Sequence, residues 1–172
     1  MPDLLDPNFH RTVVLLVYHD EQGTVGMVLN RPTEVRASEL CKSLGVDWRG
    51  EGEQVVHWGG PVQPNTGWVV SDTDVLARAP EATSLAQDLH FAGSLDALRA
   101  VAKDPTPTMR LFLGYAGWGP GQLESELAQG AWVVAPVDEA SVLQVPEDEL
   151  WDHAWQRLGV DPSTVVATSG VH

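Results

Sequence analysis

The chain has 172 residues, of which 43% are hydrophobic and 20% charged, a balance that excludes a disordered polymer and suits one globular domain with a real core. Its 24 carboxylates against 10 Lys and Arg give a formal charge of −14, which disfavours a surface that grips phosphate backbones through clustered cations. One cysteine, Cys41, excludes an internal disulfide.

From the N-terminus, M-P-D-L-L-D-P has neither the basic start nor the apolar centre of a signal peptide. Arg11–Tyr18, rich in β-branched residues, predicts a strand, and its apolar run is too short to cross a bilayer. A polar turn ending in Gly23 leads to a second strand over Thr24–Asn30, so the pair is expected as a hairpin, stopped by Arg31-Pro32. Ser38 is placed to cap a short helix that bears Leu40, Cys41 and Leu44 and closes at Gly45. Gln54–Trp58 and Thr66–Ser71 read as strands on either side of the turn-rich Gly59-Gly60-Pro61. Asp72–Thr83 is expected as an exposed loop, and Leu89–Phe91 as a brief strand. Ser94 caps a helix whose stripe is Leu95, Leu98, Val101 and Ala102.

The stretch Leu111–Leu127 is expected to organise the fold. Leu111, Phe112 and Leu113 suit a buried strand, and Gly114, Gly117, Gly119 and Gly121 predict a glycine loop. Pro120 then opens a short helix with Leu123 and Leu127 on one side. Such a loop can aim N–H groups at an anion, but it holds no Lys or Arg, and neither a G-K-[ST] ending nor a complete G-x-G-x-x-G is present. Packing is therefore the favoured reading. Gly130 ends the helix, Ala131–Ala135 predicts another strand, and Glu147–Leu158 another helix, with acidic residues in its first turn and Trp151 and Trp155 beside its leucine track. Seven tryptophans are expected to supply much of the core volume. Residues 1–160 are expected as the domain and 161–172 as a frayed tail. Hairpins among isolated helices, without regular βαβ alternation, predict α+β.

These segments resemble the YqgE/AlgH family of small bacterial proteins. The matching landmarks are M-P-D-L-L-D-P-N-F at Met1–Phe9, G-M-V-L-N-R-P at Gly26–Pro32, G-G-P-V at Gly59–Val62, L-G-Y-A-G-W-G-P-G-Q-L-E-S-E-L at Leu113–Leu127 and A-W-V-V-A-P at Ala131–Pro136. The resemblance implies a single α+β domain with a mixed, bent, partly barrel-like sheet and flanking helices. It brings no catalytic set, and the AlgH name comes from a proposed regulatory role in alginate production. It also implies a short apolar strand ahead of the M-P-x-x-x-D-P segment, which this sequence, starting at Met1, does not show: either the start was called late or the strand is absent, and in the second case a neighbouring strand is expected to present an open edge. Restoring about ten upstream residues is expected to raise thermal stability.

No G-x-S-x-G elbow accompanies His57-Trp58-Gly59-Gly60-Pro61, which argues against a serine hydrolase with an H-G-G oxyanion loop. Cys41, on the apolar side of its helix, is expected to be inert. The histidines lack metal-ligand spacing, and neither a metal nor a cofactor is expected. The candidate ligand-binding residues are Asn30, Arg31, His57, Gly59, Gly60, Tyr115, Trp118, Gln122 and Glu124. Asn30-Arg31 pairs an amide with a guanidinium, a combination suited to a carboxylate or phosphate. The leading expectation is a cytoplasmic, non-enzymatic protein with an indirect regulatory role, acting through protein or small-ligand contacts, with no direct nucleic-acid or membrane partner. The alternative is a hydrolase-like enzyme with a pocket near Asn30, Arg31, His57, Tyr115 and Glu124. Convergence of those five side chains favours the enzyme, and dispersal the binding module.

Overall fold

A computed structural model describes residues 11–50, 52, 54–72, 76, 82–86, 89–103, 105, 108–137, 142–161 and 163. Its strands are β1 (Val14–Asp20), β2 (Gly23–Val28), β3 (Pro32–Arg36), β4 (Val55–Trp58), β5 (Val62–Ser71), β6 (Thr83–Ala86), β7 (Leu89–Ala92) and β8 (Arg110–Trp118). The helices are α1 (Ala37–Ser43), α2 (Leu95–Ala102), α3 (Gln122–Ala128) and α4 (Leu150–Arg157).

β8 is the axis of the sheet. One stretch of it, Ala116–Trp118, pairs antiparallel with β2, while Phe112 and Leu113 pair in parallel with β4. β5 runs antiparallel along Arg110–Tyr115. The path β1-β2-β8-β5-β7-β6 therefore bends where β4 joins β8 and carries β3 with it. The result is the mixed, partly barrel-like α+β sheet that the sequence led one to expect. Among the described residues β1 pairs with β2 alone.

Successive side chains of a strand point to opposite faces, and the core follows that alternation. Leu111 and Val69 join α1 and α2 through Ala37, Cys41, Ala97 and Val101, whereas Phe112 and Val70 join Leu15, Met27, Leu143 and Leu150. Helices α1 and α2 thus cover one face and the approach to α4 the other. Ala116, Trp118 and Leu123 form a third cluster that seats α3.

The hairpin and the Ser94 cap match the sequence reading, with the Ser94 hydroxyl accepting from Ala97 N at 2.9 Å. Several expectations are corrected. Gly114–Trp118 is strand, not loop, so the turn shrinks to Gly119–Gly121, and α3 starts after Gly121 rather than at Pro120. The physical reason is a backbone crossing: a Cβ on Gly59 would lie 2.3 Å from Gly114 O, and one on Gly60 2.1 Å from Tyr115 C. Gly114 itself adopts φ +75 there. Glycine is needed because two main chains touch.

β2 ends at Val28, ahead of Arg31-Pro32 as expected, and Pro32 then opens a further strand, β3. β3 runs straight into α1, so Arg36, not Ser38, is the N-cap, and Ala37 N donates to Gln54 O at 2.8 Å instead of to a hydroxyl. Ala131–Ala135 forms no strand, and Val133 and Val134 are exposed. Glu147–Glu149 is a turn, and α4 begins at Leu150. Within the expected 72–83 loop Leu76 is fully buried and Thr83 starts β6, while most of its other residues lie outside the described set. Of the tryptophans only Trp118 is buried; Phe112, Met27 and Leu76 fill the interior instead. An indole N–H needs a partner, which favours the margins of a core. The expectations for residues 1–10 and most of those for the 161–172 tail fall outside the described residues. Among the described residues no helix is long and apolar enough to cross a membrane.

Candidate functional site

Where β2 ends and β3 begins, the chain faces the turn that precedes α4. Between them opens a cleft of about 640 Å³, lined by Arg11, Asn30, Arg31 and Pro32 on one side and by Glu147, Asp148, Trp151 and Asp152 on the other. Cationic and amide groups thus face carboxylates and an indole.

Asn30 is buried and fully engaged. Its Nδ2 donates to Arg11 O at 2.9 Å and its Oδ1 accepts from Val13 N at 3.0 Å, which ties the start of β1 to the end of β2. That clamp holds Arg11 at φ 51, a left-handed backbone that a non-glycine residue keeps only when its surroundings fix it. The Arg11 guanidinium then lies over the Trp151 ring, with Cζ 5.0 Å from the centroid, within cation–π range. Arg31 Nη1 donates to Asn30 O at 3.3 Å.

Behind the cleft, His57 Nε2 lies 2.6 Å from Glu147 Oε1. The His57 ring is buried and tilted against Phe112 at 5.6 Å. Burial holds the imidazole below its ordinary 6.5, opposed by the hydrogen bond to Glu147 and its charge, and assisted by Arg110. The neutral ring therefore donates from Nε2. Its Nδ1 is sealed from solvent with no partner at hydrogen-bond geometry, although the Leu111 backbone acts on the ring in the direction of protonation. For Glu147, burial alone would raise the carboxyl; the His57 hydrogen bond and the residue's own backbone N–H, with the Arg110 charge nearby, outweigh it and leave Glu147 below its ordinary 4.5. Burial lowers Arg110, whose Nη1 donates to Met109 O at 3.1 Å and whose Nη2 donates to Leu143 O at 2.5 Å.

The remaining candidates lie elsewhere. Gly59 and Gly60 form the crossing against Gly114 and Tyr115. Tyr115 packs edge-on to Trp68, with centroids 6.1 Å apart. Trp118 Nε1 donates to Glu126 Oε2 at 2.8 Å, Trp132 Nε1 reaches the same oxygen at 2.8 Å, and Gln122 Nε2 donates to Oε1 at 3.0 Å. Gln122 also accepts from Gly119 N at 2.9 Å, which closes the turn before α3. Glu124 is exposed and meets His19 Nε2 at 3.1 Å. Of the five residues assigned to a hydrolase pocket, only Asn30 and Arg31 line the cleft, with His57 behind Glu147. Tyr115 and Glu124 do not reach it.

Sequence reasoning missed Glu126, Glu147, Arg11 and Trp151 as site or anchor residues. For Glu126 the signal was available: a carboxylate four residues after Gln122, on the side of α3 that carries Leu123. For Glu147 there was none, because its partner is 90 residues away. Among the described residues no group of three or more His, Cys, Asp or Glu is arranged to hold a metal ion.

Comparison with known proteins places these features in a lineage. Residues 1–163 match the family model described as AlgH-like. The chain belongs to the YqgE/AlgH family. A UPF0301 protein of Myxococcus xanthus is 41% identical over 174 residues, covering 100% of this chain and 94% of that relative. The UPF0301 protein Smlt1098 of Stenotrophomonas maltophilia is 38% identical, covering 99% and 91%. The solution structure of the AlgH protein from Pseudomonas aeruginosa superposes with a TM-score of 0.76 at 37% identity, covering 99% of this chain and 90% of that one. The crystal structure of DIP2367 from Corynebacterium diphtheriae gives 0.72 at 29% identity, covering 88% and 80%. This YqgE/AlgH chain therefore shares its fold with both.

Proposed function

We propose that this YqgE/AlgH protein is a non-enzymatic binding protein of the cytoplasm, which engages a protein or small-ligand partner through the cleft between Arg31 and Trp151 and has an indirect regulatory role. The observation that supports this reading is dispersal. Asn30 and Arg31 face the cleft, His57 is bound to Glu147, Tyr115 packs on Trp68 and Glu124 pairs with His19. Acid/base groups that act on one substrate must meet within hydrogen-bond reach of it, and these do not. The formal charge of −14 argues against direct nucleic-acid contact; a gel shift at modest salt is expected to give no complex. The test is affinity capture from lysate with the wild type beside Trp151→Ala. A reproducible partner lost with the variant supports the reading, and recovery of none from either counts against it.

One arrangement favours the hydrolase alternative. His57 and Glu147 form an imidazole–carboxylate pair of the kind that orients a general base. In such a pair the second ring nitrogen must reach the nucleophile, and Nδ1 here is buried. The pair fits a structural tie better.

A further inference from the structure

Arg11 and Trp151 show what the acidic wall of the cleft recognises. The Trp151 ring is half-buried and offers one face to a guanidinium, which Arg11 supplies from this same chain at 5.0 Å. Asp148 and Asp152 line the same cleft, both exposed. Among the described residues neither carboxylate lies within ion-pair distance of Arg11. Arg11 therefore uses the ring and leaves the carboxylates unused. Its position is fixed from behind, because Asn30 holds its carbonyl and sets its left-handed backbone.

A guanidinium arriving on another chain is not bound by that clamp. Its planar fork can stack on the indole and also reach a carboxylate with two parallel N–H donors, a combination that an ammonium, as a compact point charge, does not match. The overall charge of −14 favours the approach of basic segments.

We propose that Asp148, Trp151 and Asp152 form a recognition site for an arginine side chain of a partner protein, and that Arg11 occupies this site in cis as a placeholder the partner displaces. The inference rests on the binding reading above and names the chemistry of its ligand.

The test uses the full-length protein, ¹⁵N-labelled, with the Trp151 indole N–H resonance assigned through Trp151→Phe. The probe is the capped peptide acetyl-Gly-Arg-Gly-amide, with its citrulline counterpart as the neutral control. Saturable movement of the Trp151 resonance is expected with the arginine peptide and not with citrulline. Arg11→Gln is expected to tighten binding about two- to five-fold, the factor that corresponds to one exposed cation–π contact. A gain in affinity cannot arise from misfolding. Asp148→Asn combined with Asp152→Asn is expected to weaken binding. No saturable shift, equal binding of citrulline, or unchanged affinity in Arg11→Gln would overturn the proposal. If a captured protein partner still depends on Trp151 while the arginine peptide fails, this inference falls and the binding reading stands. If both fail, both fall.

Discussion

His57 and Glu147 are 90 residues apart in the chain, yet Nε2 of one lies 2.6 Å from Oε1 of the other. This bond ties β4, in the middle of the sheet, to the turn that launches α4. The pH dependence of stability follows from it. Burial holds His57 below its ordinary 6.5, so between the folded value and 6.5 the unfolded chain binds the extra proton. The contribution is complete above 6.5 and is lost as the pH falls toward the folded value. Glu147, held below its ordinary 4.5 despite its burial, adds a loss of the same sign at lower pH, as the pH falls through its folded value. The urea midpoint of the wild type is therefore expected to drop between about pH 7.5 and 5.5, and His57→Gln is expected to flatten that slope. Equal slopes in the two proteins would remove His57 as the cause.

Glu126 is a buried carboxylate that satisfies three donors, the Trp118 and Trp132 indoles and the Gln122 amide. Glu126→Ala removes the acceptor that all three share and is expected to cost roughly 2–4 kcal/mol. Glu126→Gln keeps one acceptor oxygen and is expected to cost less, about 1–2 kcal/mol. Chemical denaturation monitored by tryptophan emission measures both. A loss in Glu126→Gln as large as that in Glu126→Ala would mean that the one retained oxygen contributes nothing.

The glycine crossing predicts a difference in sign between two alanine substitutions. Gly59→Ala drives a Cβ to 2.3 Å from Gly114 O, and the overpacking is expected to cost about 3 kcal/mol. Gly67, on β5, meets only Phe112 O at 3.9 Å. Gly67→Ala is expected to stabilise by about 0.5 kcal/mol through the unfolded chain. Thermal melts of the pair decide it, and a neutral Gly59→Ala would refute the crossing.

Asn30 clamps Arg11 and Val13 with both ends of its amide. Asn30→Ala is expected to lose roughly 2 kcal/mol. Asn30→Asp keeps the acceptor for Val13 N but sets a carboxylate against the Arg11 carbonyl, so it is not expected to restore wild-type stability. Full recovery in Asn30→Asp, read from the same denaturation curves, would show that the Arg11 bond contributes nothing.

Local chemistry made the hairpin, the Ser94 cap and α2 legible in the sequence, because alternation, a polar turn and a hydroxyl cap all act within a few residues. The glycines of β8 misled for a physical reason: a residue without a Cβ serves a loop and a backbone crossing equally well, and only the position of Gly59 and Gly60 in space distinguishes them. Val133 and Val134 have the composition of a strand, but Trp132 is drawn onto Glu126 and the segment that follows joins no ladder. At the site, Asn30 and Arg31 were legible as a polar pair at a hairpin end. Their opposite wall was not, since Glu147 and Trp151 read as ordinary residues of an amphipathic helix until the fold sets them across the cleft.

Hydrogen–deuterium exchange on the intact protein, with and without a captured partner, tests most directly whether the cleft is the working surface. New protection is expected over residues 30–32 and 147–152. Protection confined to another surface, such as the exposed Val133–Val137 segment, with the cleft unchanged, would contradict it.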